Sequence, residues 1–124
     1  MTYQEIFQKS KDIILDNDVS DIKEHLAIEV DIIGEGEGAF YIELKDGKIY
    51  MEPYDYHDND CKLIITGDDF LDMCSGNLDP VKAFTNGKLK IKGNIDKALK
   101  ASKIFNAVKS KGTVKSSKSS KSVK

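Results

Sequence analysis

The chain of 124 residues is long enough for one compact domain but not for two. Its basic residues are all lysines, so no guanidinium group can hold a phosphate or a guanine edge through two parallel hydrogen bonds, and specific recognition of nucleic acid is disfavoured. The first residues lack the basic and apolar segments of a secretion signal, and no run of about 18 apolar residues occurs. We therefore expect a cytoplasmic protein.

Charge divides the chain near residue 108. Residues 1–108 contain 13 lysines and 21 acidic residues, whereas residues 109–124 contain six lysines and no acidic residue. The last segment is also poor in apolar side chains, so burial cannot offset the entropy that would be lost on ordering it. We predict a folded domain over residues 1–108 and a disordered Lys/Ser-rich tail over residues 109–124.

The first half of the chain predicts one helix followed by strands. Apolar residues recur at helical spacing near the N-terminus, at Ile6, Phe7, Ile13 and Ile14. From residue 26 the apolar period changes to two, and alternating segments at 28–32, 40–44 and 49–51 predict a β-meander, with Asp46-Gly47 as the hairpin turn. Residues 62–66 are apolar on both faces, which predicts a central strand covered by helices.

The second half predicts three helices and a fifth strand. Asp68 or Asp69 is predicted to cap the first helix, and Asp79 before Pro80 predicts the start of the second. Residues 88–92 alternate lysine with leucine and isoleucine, which predicts the strand. Asn94 is predicted to cap a final helix that runs to residue 108. The residues predicted for its inner face are Ile95, Ala98, Leu99, Ser102 and Phe105, widened by Ala101 and Val108, with Ile104 on the lysine-rich side.

Three segments of the second half resemble the sterol carrier protein 2 family. They span residues 64–73, 76–80 and 83–94, and the last contains Ala-Phe followed by Gly-Lys-Leu-Lys-Ile-Lys-Gly. With the upstream meander, the resemblance covers about residues 3–108. It implies an α/β (α+β) fold in which helices cover one side of a five-stranded sheet and enclose a hydrophobic tunnel. It also implies a non-catalytic carrier of sterols, fatty acyl chains, phospholipids or acyl-CoA, for which no cofactor is expected.

The predicted wall of the cavity consists of apolar residues on the helices that face the sheet and on two strands. These residues are Ile65, Phe70, Met73, Phe84, Leu89, Ile91, Leu99 and Phe105. An apolar stripe at helical spacing is equally typical of ordinary core packing, which is the competing interpretation. Met73 is a suitable wall residue because its flexible thioether adapts to ligands of different shape.

Two alternatives remain open for function and location. The same fold can serve as a non-enzymatic protein-interaction or regulatory module rather than as a lipid carrier. Animal members of the family end in a peroxisomal signal of the Ser-Lys-Leu type, whereas this chain ends Ser122-Val123-Lys124, so the cytoplasmic expectation stands.

The tail lysines, the acidic turn and the two cysteines have simple structural or electrostatic interpretations. The lysines of the tail can simply solubilise the chain, contact an anionic membrane or attract nucleic acid without sequence specificity. Asp55, His57, Asp58 and Asp60 match no metal-binding or catalytic pattern, so a solvated acidic turn is predicted. Cys61 and Cys74 lack the spacing of a redox or zinc site, so we expect reduced, structural thiols.

Overall fold

A computed structural model of the chain describes residues 1–55 and 58–105. The predicted tail, residues 109–124, lies outside the described residues. Five strands form one mixed sheet in the order β3-β2-β1-β4-β5, in which β1 and β4 are parallel and the other neighbours are antiparallel. The elements are α1 (Tyr3–Ile14), β1 (Leu26–Ile33), β2 (Gly38–Lys45), β3 (Lys48–Glu52), β4 (Cys61–Thr66), α2 (Gly67–Cys74), α3 (Pro80–Thr85), β5 (Lys90–Gly93) and α4 (Ile95–Ala101).

The strands form because apolar and polar residues alternate and keep that alternation in register across the sheet. Val30 on β1 lies opposite Phe40 on β2 and opposite Leu63 on β4, so the apolar side chains of neighbouring strands share one face. Helix residues such as Ile6 and Phe70 pack on that face in a single core cluster. The predicted fold, a five-stranded sheet covered on one side by helices, is confirmed.

Side-chain caps define where the helices begin. The Thr2 hydroxyl accepts a hydrogen bond from the backbone N–H of Glu5, and the Glu5 carboxylate accepts one from the backbone N–H of Thr2. Asp79 caps α3 and Asn94 caps α4, as predicted. The cap of α2 is Thr66 rather than either of the two predicted aspartates, which lie one residue or more inside the first turn. There their negative charges still interact favourably with the positive end of the helix dipole.

The last helix is turned differently from the prediction. Helix α4 ends at Ala101 with Ser102 as its cap, helical backbone is present again at residues 103–105, and the predicted end at residue 108 lies outside the described residues. Ala98, Ala101, Ile104 and Phe105 are buried, whereas Ile95 and Leu99 are 40% and 48% exposed. The small alanines allow α4 to pack against the sheet more closely than a leucine would. The placement of Ile104 on the outer side was therefore wrong, and Val108 lies outside the described residues.

Strand β4 is internal, as predicted, but the helices among the described residues cover only one of its faces. It lies between β1 and β5, and Ile64 is half-buried on the face opposite the helices, between Asp31 and Lys90 in register. The second apolar face therefore reflects cross-strand contact with neighbouring side chains rather than a second layer of helices. Within the described part of the chain, no helix has both the length and the apolar character that crossing a bilayer requires.

Candidate functional site

A row of four phenylalanine rings crosses the interior between the helices and the sheet. Phe40 of β2 lies in the middle, with its ring centroid 5.2 Å from that of Phe7 on α1 and 5.6 Å from that of Phe70 on α2. The Phe70 ring in turn lies 6.0 Å from that of Phe105, which follows α4. All three contacts are edge-to-face, a geometry that favours aromatic pairs beyond the area they bury. The interior is therefore apolar from the first helix to the last described residue.

Six of the eight residues predicted for the cavity wall lie in or against this interior. Ile65, Phe70 and Met73 have no exposed surface, and Leu89 and Phe105 are each 3% exposed. Ile91 is partly buried and packs against the same cluster. The structure thus brings together residues from β4, α2, β5 and the chain after α3 and α4, although they are distant in sequence.

The other two predicted wall residues lie at the surface. Phe84 is 41% exposed on α3 and Leu99 is 48% exposed on α4. In each helix the residues turned towards the core are small, namely Pro80 and Ala83 in α3 and Ala98 and Ala101 in α4. Helical spacing alone could not separate these faces, because both carry apolar side chains.

The interior reaches the surface beside the first two turns of α1. A cleft of about 480 Å³ is lined there by Tyr3, Gln4, Phe7, Gln8 and Pro53. Phe7 belongs both to this cleft and to the row of rings, since it is only 8% exposed and contacts Phe40. A second cleft, of about 230 Å³, adjoins Ile6 where α1 meets the start of α2. None of the eight predicted wall residues lines either cleft.

The opposite face of the sheet carries a polar cluster that the alternation of β1 did not reveal. Glu29 is only 5% exposed, and one of its carboxylate oxygens lies 3.6 Å from the Lys62 Nζ atom on the neighbouring strand. Burial, followed by a hydrogen bond and charge repulsion from Glu29, raises the pKa of Asp31 to about 6. Burial and a hydrogen bond with Tyr54 raise the pKa of Tyr41 to about 12. The carboxylates on this face therefore interact with each other and are partly shielded from water, unlike freely solvated carboxylates.

Asp31→Asn is expected to stabilise the protein at neutral pH. Because the native pKa of Asp31 is about 6 and its ordinary value is 3.8, the native state holds a proton more strongly than the unfolded chain, and stability falls as pH rises through that window. We expect the variant to gain about 1–2 kcal/mol in free energy of unfolding near pH 7.5, after allowance for solvent screening, and almost nothing near pH 4.

Urea titrations at the two pH values measure this effect. Asp12→Asn, which alters an exposed carboxylate on α1, is the control for the change of charge alone. A gain at Asp31 that is the same at both pH values would contradict the assigned cause.

The acidic loop before β4 forms hydrogen bonds with neighbouring elements of the fold through its last residue, Asp60. The Asp60 carboxylate accepts a hydrogen bond from the backbone N–H of Ala27 (2.9 Å), and the Asp60 carbonyl accepts one from the backbone N–H of Asn94 (2.9 Å). Asp60 therefore ties the loop to β1 and to the cap of α4. His57 lies outside the described residues, and within those residues no group of three histidine, cysteine or acidic side chains is placed to hold a metal ion.

Both cysteines are buried as free thiols. Burial raises the pKa of Cys61 to about 11 and raises the pKa of Cys74 further. A thiol that does not ionise near neutral pH is a poor nucleophile and a poor metal ligand. Both side chains pack in the core cluster, as small apolar residues do.

Comparison with known proteins identifies the family. Residues 4–106 match the SCP-2 sterol transfer family. Hydroxysteroid dehydrogenase-like protein 2 from Homo sapiens is 39% identical over 106 residues, which is 83% of this chain but only 24% of that protein; the protein of the same name from Bos taurus is 38% identical over 87% of this chain and 26% of its own length. The chain thus spans about a quarter of these curated relatives.

A solved structure of similar size shares the fold. The solution structure of palmitated SCP2L2 from Aedes aegypti superimposes with a TM-score of 0.64 at 20% identity and covers 85% of this chain and 95% of that one. The five-stranded sheet with helices on one face matches the family assignment made from the sequence. The chain belongs to the SCP-2 sterol transfer family.

Proposed function

We propose that the chain binds a lipid between the sheet and the helices and carries it without catalysing a reaction. The observation that carries the proposal is the row of four phenylalanine rings, which ends at Phe7 where the interior meets the cleft beside α1. Six predicted wall residues adjoin or belong to this interior: Ile65, Phe70, Met73, Leu89, Ile91 and Phe105. Membership of a sterol transfer family supports the same class of ligand.

Aliphatic burial supplies enough free energy for such a ligand. Each buried methylene contributes about 0.8 kcal/mol, so a chain of a dozen methylenes gains about 10 kcal/mol before the costs of association. Those costs are about 4–15 kcal/mol; at the low end about 6 kcal/mol is left, which corresponds to a dissociation constant of roughly 40 μM. No precise polar contact is required, so ligands with different head groups can share the site.

Phe70 and Met73 are fully buried in the core cluster, so a chain bound beside them must displace protein side chains. Met73 is the best suited to move, because it is fully buried yet flexible, and it lies on the short helix α2. The cleft lined by Gln4, Phe7 and Gln8 offers an entrance at which uncharged amides can meet the polar end of the lipid. We propose a fatty acyl chain as the first ligand to test, since a structural neighbour was determined in palmitated form.

Titration of the full chain with a fluorescent fatty acid, followed by displacement with palmitate, tests the proposal. Met73→Trp fills the interior and is expected to weaken binding at least about tenfold, whereas Leu15→Ala alters an exposed apolar residue and should leave it unchanged. If Met73→Trp fails to fold, Met73→Ala enlarges the interior and should strengthen binding. Absence of displaceable binding by the wild type, or equal binding by all variants, would contradict the proposal.

The competing function, a protein-interaction or regulatory module, makes a different prediction in the same preparation. Native mass spectrometry of gently purified protein should show a retained lipid if the chain is a carrier. A stable complex with another protein and no lipid would favour the module. The chain covers only about a quarter of its curated dehydrogenase-like relatives. A stable complex with a partner enzyme would therefore also support this competing function.

The location and the role of the tail complete the proposal. We propose a cytoplasmic protein, which the two free, buried thiols support because cytosolic proteins keep their cysteines reduced. We also propose that the six lysines of residues 109–124 strengthen transient contact with anionic membranes. Specific binding of nucleic acid stays outside the proposal, since the chain has no arginine. Co-sedimentation with vesicles that contain phosphatidylserine compares the wild type with a variant in which the six tail lysines become glutamine, and equal binding by the two would contradict the role of the tail.

A further inference from the structure

The side of the sheet that faces away from the helices has no covering layer among the described residues, and we call it the open face. One row of its side chains crosses all five strands. From β3 through β2, β1 and β4 to β5, the pairing register aligns Glu52, Tyr41, Glu29, Lys62 and Lys92. This row is acidic or aromatic as far as β1 and basic from β4 onwards. The open face therefore has an acidic half, on β1 to β3, and a basic half, on β4 and β5.

The neighbouring row has the same division of charge. From β2 to β5 it consists of Ala39, Asp31, Ile64 and Lys90. Beside it, a cleft of about 540 Å³ in the acidic half is lined by residues that include Asp31, Glu37 and Tyr54. Two lysines of the acidic half, Lys45 and Lys48, lie apart from both rows, at the hairpin turn.

Each half of the open face brings like charges together. Lys62 lies directly opposite Lys92 on the neighbouring strand, a position at which like charges repel. Glu29 and Asp31 lie on the same face of β1, and one carboxylate oxygen of Asp31 is buried without a hydrogen-bond partner within the described part of the chain. The ion pair between Glu29 and Lys62, at 3.6 Å, offsets part of the repulsion where the halves meet. A partner with positive charge over the acidic half and negative charge over the basic half would relieve the rest.

We propose that the open face binds the open face of a second copy of the chain. A two-fold axis that runs parallel to the strands, between β1 and β4, places the basic half of each copy over the acidic half of the other. In this arrangement β5 of one copy lies over β2 of the other, so Lys90 and Lys92 approach the acidic half of the second copy. A partner of uniform charge, such as the lysine-rich tail or a nucleic acid, would be repelled by one of the two halves.

The size and the uncharged residues of the open face suit a weak dimer. Tyr41 and Ile64 are half-buried near its middle, and Tyr50 and Tyr54 are 44% and 56% exposed. Tyrosine is enriched in protein interfaces. Four strand spacings of about 4.8 Å make the face about 20 Å wide, and a strand the length of β1 is about 26 Å long. Two such faces bury about 1,000 Å² in total, which is the low end for specific complexes.

This dimer goes beyond the proposed lipid binding and does not depend on it. When the two open faces stack, the helix-covered side of each copy points outward. The interior proposed for the lipid lies on that outer side, so association and ligand binding can be measured separately.

Sedimentation velocity of the full chain over a range of concentrations, up to about 1 mM, tests the proposal. The wild type is expected to dimerise at low ionic strength, and added salt should weaken the dimer. Lys90→Glu with Lys92→Glu makes the basic half acidic, and Glu37→Lys with Glu52→Lys adds positive charge to the acidic half. Each double variant alone should raise the dissociation constant of the dimer at least about tenfold. An equimolar mixture of the two should associate again, because their altered halves are complementary.

A matched control makes the same change in net charge away from the open face. Lys82 on α3 and Lys103 after α4 are exposed, so Lys82→Glu with Lys103→Glu should dimerise like the wild type. A wild type that stays monomeric at every concentration, equal weakening in the control, or a mixture of the two variants that fails to associate would overturn the proposal. So would a monomer in which a carbodiimide couples lysines of the tail to the acidic half, since the tail would then occupy the face.

Discussion

Replacement of Phe70 by alanine is expected to lower the free energy of unfolding by about 3–5 kcal/mol. The Phe70 side chain is fully buried, and its ring contacts those of Phe40 and Phe105 edge to face. The substitution removes these contacts and leaves a cavity in the middle of the aromatic row, which close packing prevents the neighbours from filling completely. Because a small domain has only about 5–15 kcal/mol of stability, much of the variant should unfold at moderate urea concentrations.

The control for this prediction is Phe84→Ala, which removes the same atoms from a side chain that is 41% exposed. We expect it to cost less than about 1 kcal/mol. Palmitate should recover part of the stability of the Phe70 variant, because a ligand that binds only the folded state stabilises it and an aliphatic chain can occupy the cavity. Equal losses for the two variants would contradict the position of Phe70 at the centre of the core.

Gly93→Ala is expected to cost about 2–4 kcal/mol, because two separate penalties act at this position. The backbone of Gly93 has φ of +94°, which a residue with a Cβ atom rarely adopts. An added Cβ would also lie 2.9 Å from the carbonyl oxygen of Asp60 and 3.1 Å from the Cα of Cys61. Cys61 is the first residue of β4, the strand that pairs with β5, and Asp60 precedes it. Both contacts are with backbone atoms, so the clash cannot be relieved by rotating a side chain.

Gly87→Ala separates the two penalties. Gly87 has φ of +87°, close to that of Gly93, but an added Cβ there would meet nothing within 4 Å. We expect only the conformational cost at this position, about 1 kcal/mol. Thermal or urea unfolding of the two variants compares them directly. Equal losses in the free energy of unfolding would contradict the close approach of Gly93 to the backbone of Asp60 and Cys61.

Local chemistry made much of the fold predictable. The caps Asp79 and Asn94 act on the residues that follow them, and the Asp46-Gly47 turn lies between two strands that must then pair as neighbours. Alternation in residues 28–32 determines which side chains face the core once β1 is a strand. Each of these interactions acts over a few residues, so it can be inferred without knowledge of the tertiary structure.

The rotation of the last helix could not be inferred in this way. Either face of α4 carries enough apolar surface to be buried, and the sheet accepts the face with the smaller residues, Ala98 and Ala101. That choice depends on how close the helix can approach the strands. The capping role of Thr66 was also missed, because the two aspartates that follow it belong to a residue type that is preferred over threonine as a cap.

The sequence predicted which kinds of residue form the candidate site, but it did not predict the position of each of them. Phe70 and Met73 lie on the inner face of α2 because that helix has only one strongly apolar face. Phe84 and Leu99 belong to the two helices with apolar residues on both faces, and they lie at the surface. Glu29 and Asp31 share one face of β1, but the Lys62 amino group beside Glu29 comes from the parallel strand β4, so that ion pair could not be inferred from the local sequence.

The position of β1 has a consequence for the newly made chain. This strand lies at the centre of the sheet, yet its parallel neighbour β4 begins only at Cys61. While the ribosome adds the intervening residues, the meander can form, but one edge of β1 still exposes its backbone N–H and C=O groups. Native pairing of that edge must wait for synthesis to pass Thr66, and the open edge is the part of the nascent chain most prone to self-association.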